Sequence, residues 1–352
     1  MNPFERMAIP IIQAPMFGAS TQAMALAVSR AGGMGQFAAA GSTADQIETA
    51  VAEMKRDTDA PFAVNFLMTE PVRPDGAEVD AALQRLKPWY DARGLDLPSA
   101  PNTFAQDFDA QLAAVIRAAP SVASFAFSIL TAEQVAALHA ADIYVIGTAT
   151  TVAEARAWAQ VGADAVCAQG MEAGGHRGHF LKDVEQSLIG TMALVSTVRA
   201  AVEVPVVAAG GIMDGRGVAA ALALGAAAAQ MGSAFLLAND SAVSPTWRRA
   251  IEEAPDDATA LTRAFSGRYA RGIENEFMRA MQGEEVPPYP IQNRLTQPLR
   301  AAAARADDPS VMSLWAGQAI KLARPGEAGD LVQRWWDEAK AVAKELAART
   351  SR

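Results

Sequence analysis

The stretch VPVVAAGGIMDGRGVAAALALGAAAAQMGSA, residues 204–234, decides the fold. Val204–Ala209 is short, apolar and rich in valine, the pattern of a strand covered on both faces. Gly210 and Gly211 end it. Gly215–Leu224 then repeats alanine and leucine at helical spacing, and Ala227–Met231 is apolar again before Gly232 and Ser233. A strand, a helix and a second strand in about thirty residues make a βαβ unit, whose strands are parallel.

Outward from that unit the same alternation runs back to the start of the chain. Strands are expected at Ala8–Gln13, Met34–Phe37, Phe62–Phe66, Val122–Phe127, Ile143–Gly147 and Ala165–Gln169. Helices are expected at Thr21–Ala31, Ser42–Arg56, Phe108–Ala118, Ala132–Ala140, Val152–Val161 and Ile189–Ala201. Eight strands, most of them separated by helices, predict an α/β fold closed as a (β/α)8 TIM barrel, with a doubly wound open sheet as the structural rival. Residues 1–240 form this barrel. Residues 70–105, proline-rich and carrying Trp89 and Tyr90, read as an excursion over its rim. Residues 241–310 are an inserted helical cap domain, and 311–352 are C-terminal helices packing back on the barrel.

Composition narrows the function. The 352 residues are 51% apolar with a net charge of −9, which argues against nucleic acid as a partner, because phosphate binding needs a concentrated basic face. No window approaches the 18 or so uninterrupted apolar residues of a membrane span, and the first residues lack the apolar core of a secretory signal, so a cytoplasmic protein is expected. The one cysteine, Cys167, lies inside an expected strand and reads as an inert core thiol. With three histidines in unrelated elements no metal site is expected. There is neither a GxSxG elbow nor a GxxxxGK[ST] loop.

Three loops carry the candidate chemistry. Gly210-Gly211 and Gly232-Ser233 follow the seventh and eighth strands, where barrels commonly bind phosphate. Glycine lets backbone N–H groups approach an anion without a Cβ in the way. After the sixth strand comes QGMEAGGHRG, residues 169–178, in which His176 stands among glycines that can turn an imidazole into the barrel mouth. His176 can take a proton or steady an anion. His179 reads as a surface residue and His139 as solvent-facing or filler. Gln13–Met16, Asn65 and Gln169 face the same rim and offer an apolar and amide floor for a planar ring. A phosphorylated cofactor held beside one basic side chain is therefore expected.

The chain resembles the FMN-dependent nitronate monooxygenases, formerly 2-nitropropane dioxygenases. The resemblance rests on PIIQAPM near the start, VNF at the third strand, AQGMEAGGHRG, PVVAAGGIMDGRG, ALGAAAAQMGSAFL, SGRYARG and the late SLWAGQ, in that order. It implies FMN as cofactor, with Met16, Asn65, Gln169, Gly174, Gly211, Gln230, Met231, Gly232 and Ser233 as contacts and His176 as the active-site histidine. It further implies oxidation of an alkyl nitronate by O2 to a carbonyl compound and nitrite, with neutral nitroalkanes as further substrates. A homodimer is left open. Family members that carry a histidine in an SFHFG-like strand have it where this chain has Ala126, in SFAFS. Tyr289 of the late YP pair is retained, but Asn293 and Gln297 stand in the following segment where some members have a tyrosine and a lysine. The missing lysine removes a partner for a substrate carboxylate and points away from propionate 3-nitronate, toward a larger or less polar nitronate. Arg268 and Arg271 in SGRYARG read as braces of the cap. An NAD(P)H-dependent FMN quinone or enoyl reductase, and a non-catalytic flavin-binding barrel, are the alternatives.

Overall fold

Side chains that alternate between two apolar surroundings turn the expected strands into one barrel. The computed structural model describes residues 2–69, 72, 75–99 and 103–350. Its barrel strands are β1 (Ile11–Gln13), β2 (Gly35–Ala38), β3 (Phe62–Leu67), β4 (Val122–Ala126), β5 (Tyr144–Ala149), β6 (Ala165–Gln169), β7 (Val206–Ala209) and β8 (Ala228–Met231). All pair in parallel, in chain order from β2 to β8, and β8 then pairs with β1. Backbone bonds from Gln13 to Met34 (2.9 Å) and from Met34 to Ile11 (3.0 Å) close the circle between β1 and β2. The open-sheet rival is thereby excluded.

The helices between strands start where the sequence supplies caps. Thr43 and Gln46 form a reciprocal capping box at Ala44–Asp57, and Thr131 and Gln134 do the same at Ala132–Ala140. The faces of these helices bury Leu, Val, Ile and Trp158 against the outside of the barrel. Inside it, Ile12, Met34, Ala63, Val122, Ile146, Ala165, Cys167, Val207 and Ala228 form an apolar plug. Burial pushes the Cys167 thiol up to about 12, so it stays protonated and inert. Two residues further along their strands, on the same inward face, stand Gln36, Asn65, Ser124, Gln169 and Gln230. The barrel therefore carries neutral amides and a hydroxyl above its hydrocarbon floor.

A second core, separate from that of the barrel, lies under the cap. The excursion contributes to it through the helix Gly76–Asp91, whose Val79, Ala82, Leu86 and Tyr90 are buried there, and Tyr90 donates to the Leu295 carbonyl at 2.6 Å. Residues 70, 71, 73, 74 and 100–102 of the excursion lie outside the described residues. The cap segment holds helices Pro245–Glu253, Glu276–Ala280 and Ile291–Arg305. It also holds sheet: Thr259–Thr262 pairs antiparallel with Ala270–Ile273, which pairs with Gly175–His176 from the loop after β6. At the C-terminal end two 3-10 turns precede a single long helix, Ala328–Thr350, packed on Gly215–Ala223 and Gln22–Arg30.

Candidate active site

The loop after β6 is built to hold one imidazole. Gly175 adopts a φ of +71°, which favours glycine, and the pairing of His176 with Ala270 ties the loop to the cap sheet. From the barrel side Gln169 donates Nε2 to the His176 carbonyl at 3.0 Å. Its Oε1 accepts from the Gly178 N–H at 2.8 Å and from Arg177 at 3.0 Å. Gln169 thus positions the loop from the strand end. Arg177 is fully buried and also donates to the carbonyls of Gly170 (2.7 Å) and Ser187 (2.9 Å). Buried Glu154 accepts from the N–H groups of Phe180 (2.6 Å) and Leu181 (3.1 Å) and from Thr150, fastening the far side of the loop.

The His176 ring sits among Trp315 (5.3 Å between ring centres), Phe127 (5.7 Å) and Tyr289 (5.7 Å). Its Nε2 lies 2.9 Å from Ser266 Oγ. That hydroxyl also lies 3.0 Å from the Arg268 carbonyl, which can only accept. The serine proton therefore goes to the carbonyl, and Nε2 carries the imidazole proton and donates it to Ser266. Nδ1 is left as a lone pair. Burial, reinforced by Arg268 and Arg300, pulls the imidazole down to about 3, so it is neutral at physiological pH.

Positive charge surrounds it. Arg268 lies over the Phe127 ring at 4.1 Å and donates to the carbonyls of Arg177 and His179. Arg300 donates to Thr296 Oγ1 (3.2 Å), Ser313 Oγ (3.3 Å) and Asn293 O and Oδ1 (both 2.8 Å). Burial pulls both guanidiniums down to about 10, still charged at neutral pH. Arg271 braces the cap through the Met171 carbonyl at 3.1 Å. All four arginines, Arg177 included, are held by uncharged oxygens. The carboxylates of Glu154 and Glu172 are spent on Thr150, Thr191 and loop amides. An acidic protein thus presents a locally cationic mouth.

Facing this, the ends of β7 and β8 form a cradle. Gly210 and Gly211 take φ values of +113° and +71°. Among the described residues the backbone N–H groups of Gly211, Gly232 and Ser233 have no protein acceptor. Ser233 Oγ accepts from Gly317 N–H at 2.8 Å, which brings the SLWAGQ segment into the cradle. Gly174 passes so close to this segment that a Cβ there would lie 2.5 Å from Gly317 N. Met16 stands beside Gly232, its sulfur 3.7 Å from where a Cβ would be. Asn65 and Gln230 look up from the barrel, whereas the Met231 side chain is buried in the outer core, leaving its backbone to the cradle. Gln13 turns away from the mouth to bond Gln36 N–H (3.0 Å) and the Ala14 carbonyl.

Some placements differ from the sequence reading. His179 is not a plain surface residue: its Nδ1 is sealed off without a partner, and burial first, then Arg268, pull the ring down to about 4. His139 pairs with Asp164 at 2.9 Å, away from the mouth. Gln297 is exposed and bonded to Arg294, whereas Ala126 is buried at the top of β4. Ser266, Phe127, Trp315 and Arg300 were not singled out. Ser266, Trp315 and Phe127 lie within SGRYARG, SLWAGQ and SFAFS, which carry similarity without a role, and Arg300 lies in no motif.

Unpaired backbone N–H groups after the last two strands, an amide-lined mouth and a neutral histidine among arginines are the features of an enzyme site at the end of a (β/α)8 barrel. The profile of the nitronate monooxygenase family matches residues 2–338. A probable nitronate monooxygenase of Staphylococcus aureus (strain Newman) is 41% identical over 317 residues, covering 89% of each chain. The crystal structure of nitroalkane oxidase from Streptomyces ansochromogenes superposes with a TM-score of 0.91 at 40% identity, covering 97% of this chain and 99% of that one. FabK from Thermotoga maritima superposes with a TM-score of 0.76 at 28% identity, covering 99% and 97%. The chain belongs to the nitronate monooxygenase family, flavin-dependent oxidoreductases that act on nitro compounds.

Proposed function

We propose that the chain binds FMN and oxidises alkyl nitronates with O2 to a carbonyl compound and nitrite. The observation that carries this reading is the neutral His176 beside arginines bonded only to uncharged oxygens, at a barrel mouth that faces an amide cradle. The residues fit a flavin mononucleotide. The unpaired N–H groups of Gly211, Gly232 and Ser233 suit a phosphate, and Asn65 and Gln230 suit the polar edge of its ring. Met16 and the backbone at Gly174, Gly210 and Met231 complete the enclosure. Bound there, the flavin supplies the electron acceptor that the side chains lack.

The side chains do the rest. Arg268 and Arg300 attract the substrate anion into a site that already disfavours a charged imidazole. Their N–H groups can donate to the oxygens of a nitronate, while Nδ1 of His176 takes, from a neutral nitroalkane, the proton on the carbon next to the nitro group. Ser266 holds the tautomer in which Nδ1 can do so. Phe127, Trp315 and Tyr289 wall the ring in apolar surface and keep water from the reacting carbon. The missing lysine at Gln297 leaves Arg300 as the cation on the Tyr289 side of the site. We further assign residues 1–240 to the barrel, 241–310 to the cap and 311–352 to the returning segment, and place the enzyme in the cytoplasm.

The test is direct. Flavin released from the purified protein is identified by chromatography, and nitrite is measured against a series of nitronates in air. FMN and stoichiometric nitrite support the proposal. Rapid anaerobic bleaching by NADH, with no nitrite from any nitronate, replaces it with the reductase reading, and a colourless protein that refuses FMN removes both.

A further inference from the structure

Between Asn65 and Gln230 runs a chain of hydrogen bonds whose direction can be worked out. Asn65 Nδ2 lies 3.3 Å from the Ser124 backbone carbonyl and 2.9 Å from Ser124 Oγ. A carbonyl only accepts, so the atom facing it is the amide nitrogen, and Oδ1 is turned the other way. Ser124 Oγ, already accepting from Asn65, has its own proton free for Gln36 Oε1 at 2.8 Å. Gln36 must then present Nε2 to Gln230 Oε1, at 2.6 Å. The Gln36 backbone is fixed in turn by its bond to Gln13 Oε1. Two atoms remain without a protein partner among the described residues, Asn65 Oδ1 and Gln230 Nε2, and neither is sealed from the mouth.

We infer that Ser124 and Gln36 are positioning residues that set the polarity of the barrel mouth: they present Gln230 as a donor and Asn65 as an acceptor. Both are nearly inaccessible, at 5% and 1% exposure, and act only through their neighbours. The mouth then selects a flat heterocycle whose edge carries both a carbonyl oxygen and an N–H. This rests on the flavin reading, since the pyrimidine edge of a flavin has that pattern. Without the relay the Gln230 amide is free to rotate by half a turn and offer the wrong atom. The backbone carbonyl of Ser124 is what prevents this, because it anchors one end with a group that cannot change roles.

The experiment titrates FMN and its N3-methyl analogue into deflavinated protein, unsubstituted and as Ser124→Ala, Ser124→Thr and Gln36→Leu. It also measures the midpoint potential of each flavin-loaded form. Ser124→Ala keeps the Asn65 bond to the backbone but leaves Gln36 Oε1 unpaired, so Gln230 loses its fixed orientation. Expected are FMN binding weaker by roughly three- to tenfold and a more negative potential, because a donor to the charge gained on reduction is lost. Ser124→Thr, which keeps the hydroxyl, restores both, and Gln36→Leu repeats the Ser124→Ala result. The N3-methyl analogue binds the unsubstituted protein less well than FMN. Simple loosening would weaken binding without moving the potential. If Ser124→Ala and Gln36→Leu retain unsubstituted affinity and potential, the relay is wrong while the flavin reading stands. If the unsubstituted protein takes up no FMN, the flavin reading itself fails.

Discussion

At the residue scale the chemistry concentrates on one ring nitrogen. His176 is kept neutral by burial and by Arg268 and Arg300, and Ser266 fixes its proton on Nε2. A preformed nitronate needs no proton removal, whereas a neutral nitroalkane needs the neutral ring to take its proton at Nδ1. His176→Asn is therefore expected to lower turnover of neutral nitroalkanes by about 10²–10⁴-fold and of preformed nitronates far less, in parallel steady-state assays. Equal losses on both would remove the proton-accepting role. The pH dependence follows from the same environment. The neutral imidazole persists until pH falls to about 3, so kcat/KM for a preformed nitronate should show no enzyme inflection near the ordinary 6.5. An inflection there that vanishes in His176→Asn would show that the ring is far more solvated than its neighbours imply. Sequence pointed to His176 because it was a lone histidine among glycines. Ser266 and Arg300 were invisible because nothing local links them to a loop some ninety residues or more away.

At the element scale the site depends on two loops crossing at glycine. A Cβ on Gly174 would fall 2.5 Å from the Gly317 nitrogen and 2.6 Å from the Ala316 carbonyl carbon, both backbone atoms that cannot swing aside. Gly174→Ala should push the SLWAGQ segment off Ser233, lowering the flavin recovered per chain and costing about 1–3 kcal/mol in chemical denaturation. Gly232→Ala, whose Cβ would meet only side chains, the Ala14 methyl at 3.3 Å and the Met16 sulfur at 3.7 Å, should be milder. If the two behave alike, the crossing is not what holds the cradle. The barrel strands were legible to within about three residues, because apolar runs bounded by glycine and helix caps carry a clear period. The two-residue strand Gly175–His176 carries no period and exists only through its partner Ala270–Ile273. Helix Gly76–Asp91 was missed among prolines, although Val79, Ala82, Leu86 and Tyr90 have helical spacing. Pro88 is tolerated inside it.

At the scale of the whole molecule, remote packing and solvent pH both act on the site. The returning helix Ala328–Thr350 buries Trp335 edge-on against Phe235, 4.9 Å between ring centres, and Phe235 ends the turn that begins at Ser233. Trp335→Ala should cost about 3–5 kcal/mol and, unlike an equally destabilising change elsewhere, should also weaken FMN retention. Stability should further follow a plateau in pH whose edges have named causes. His176 and His179 are held down to about 3 and about 4 from 6.5, so in the window between, the unfolded chain binds protons that the folded one refuses. Their contribution is complete above 6.5 and drains away as pH falls toward 4. The lowered carboxyls of Asp214 and Asp308 act separately, losing theirs only below their ordinary 3.8. On the alkaline side Cys167 stays protonated to about 12 when folded but ionises from 9.0 when unfolded, so stability declines again above 9.0. Thermal unfolding between pH 4 and 10 should therefore show a broad maximum at 6.5–9.0. The double variant His176→Asn, His179→Asn should flatten the acid side alone, and Cys167→Ala should move the onset of the alkaline decline from 9.0 toward 10.0, where the buried Tyr90, Tyr144 and Tyr289 take over. An acid slope that survives the double variant would place the titrating groups elsewhere and remove the case for an imidazole kept neutral by the fold.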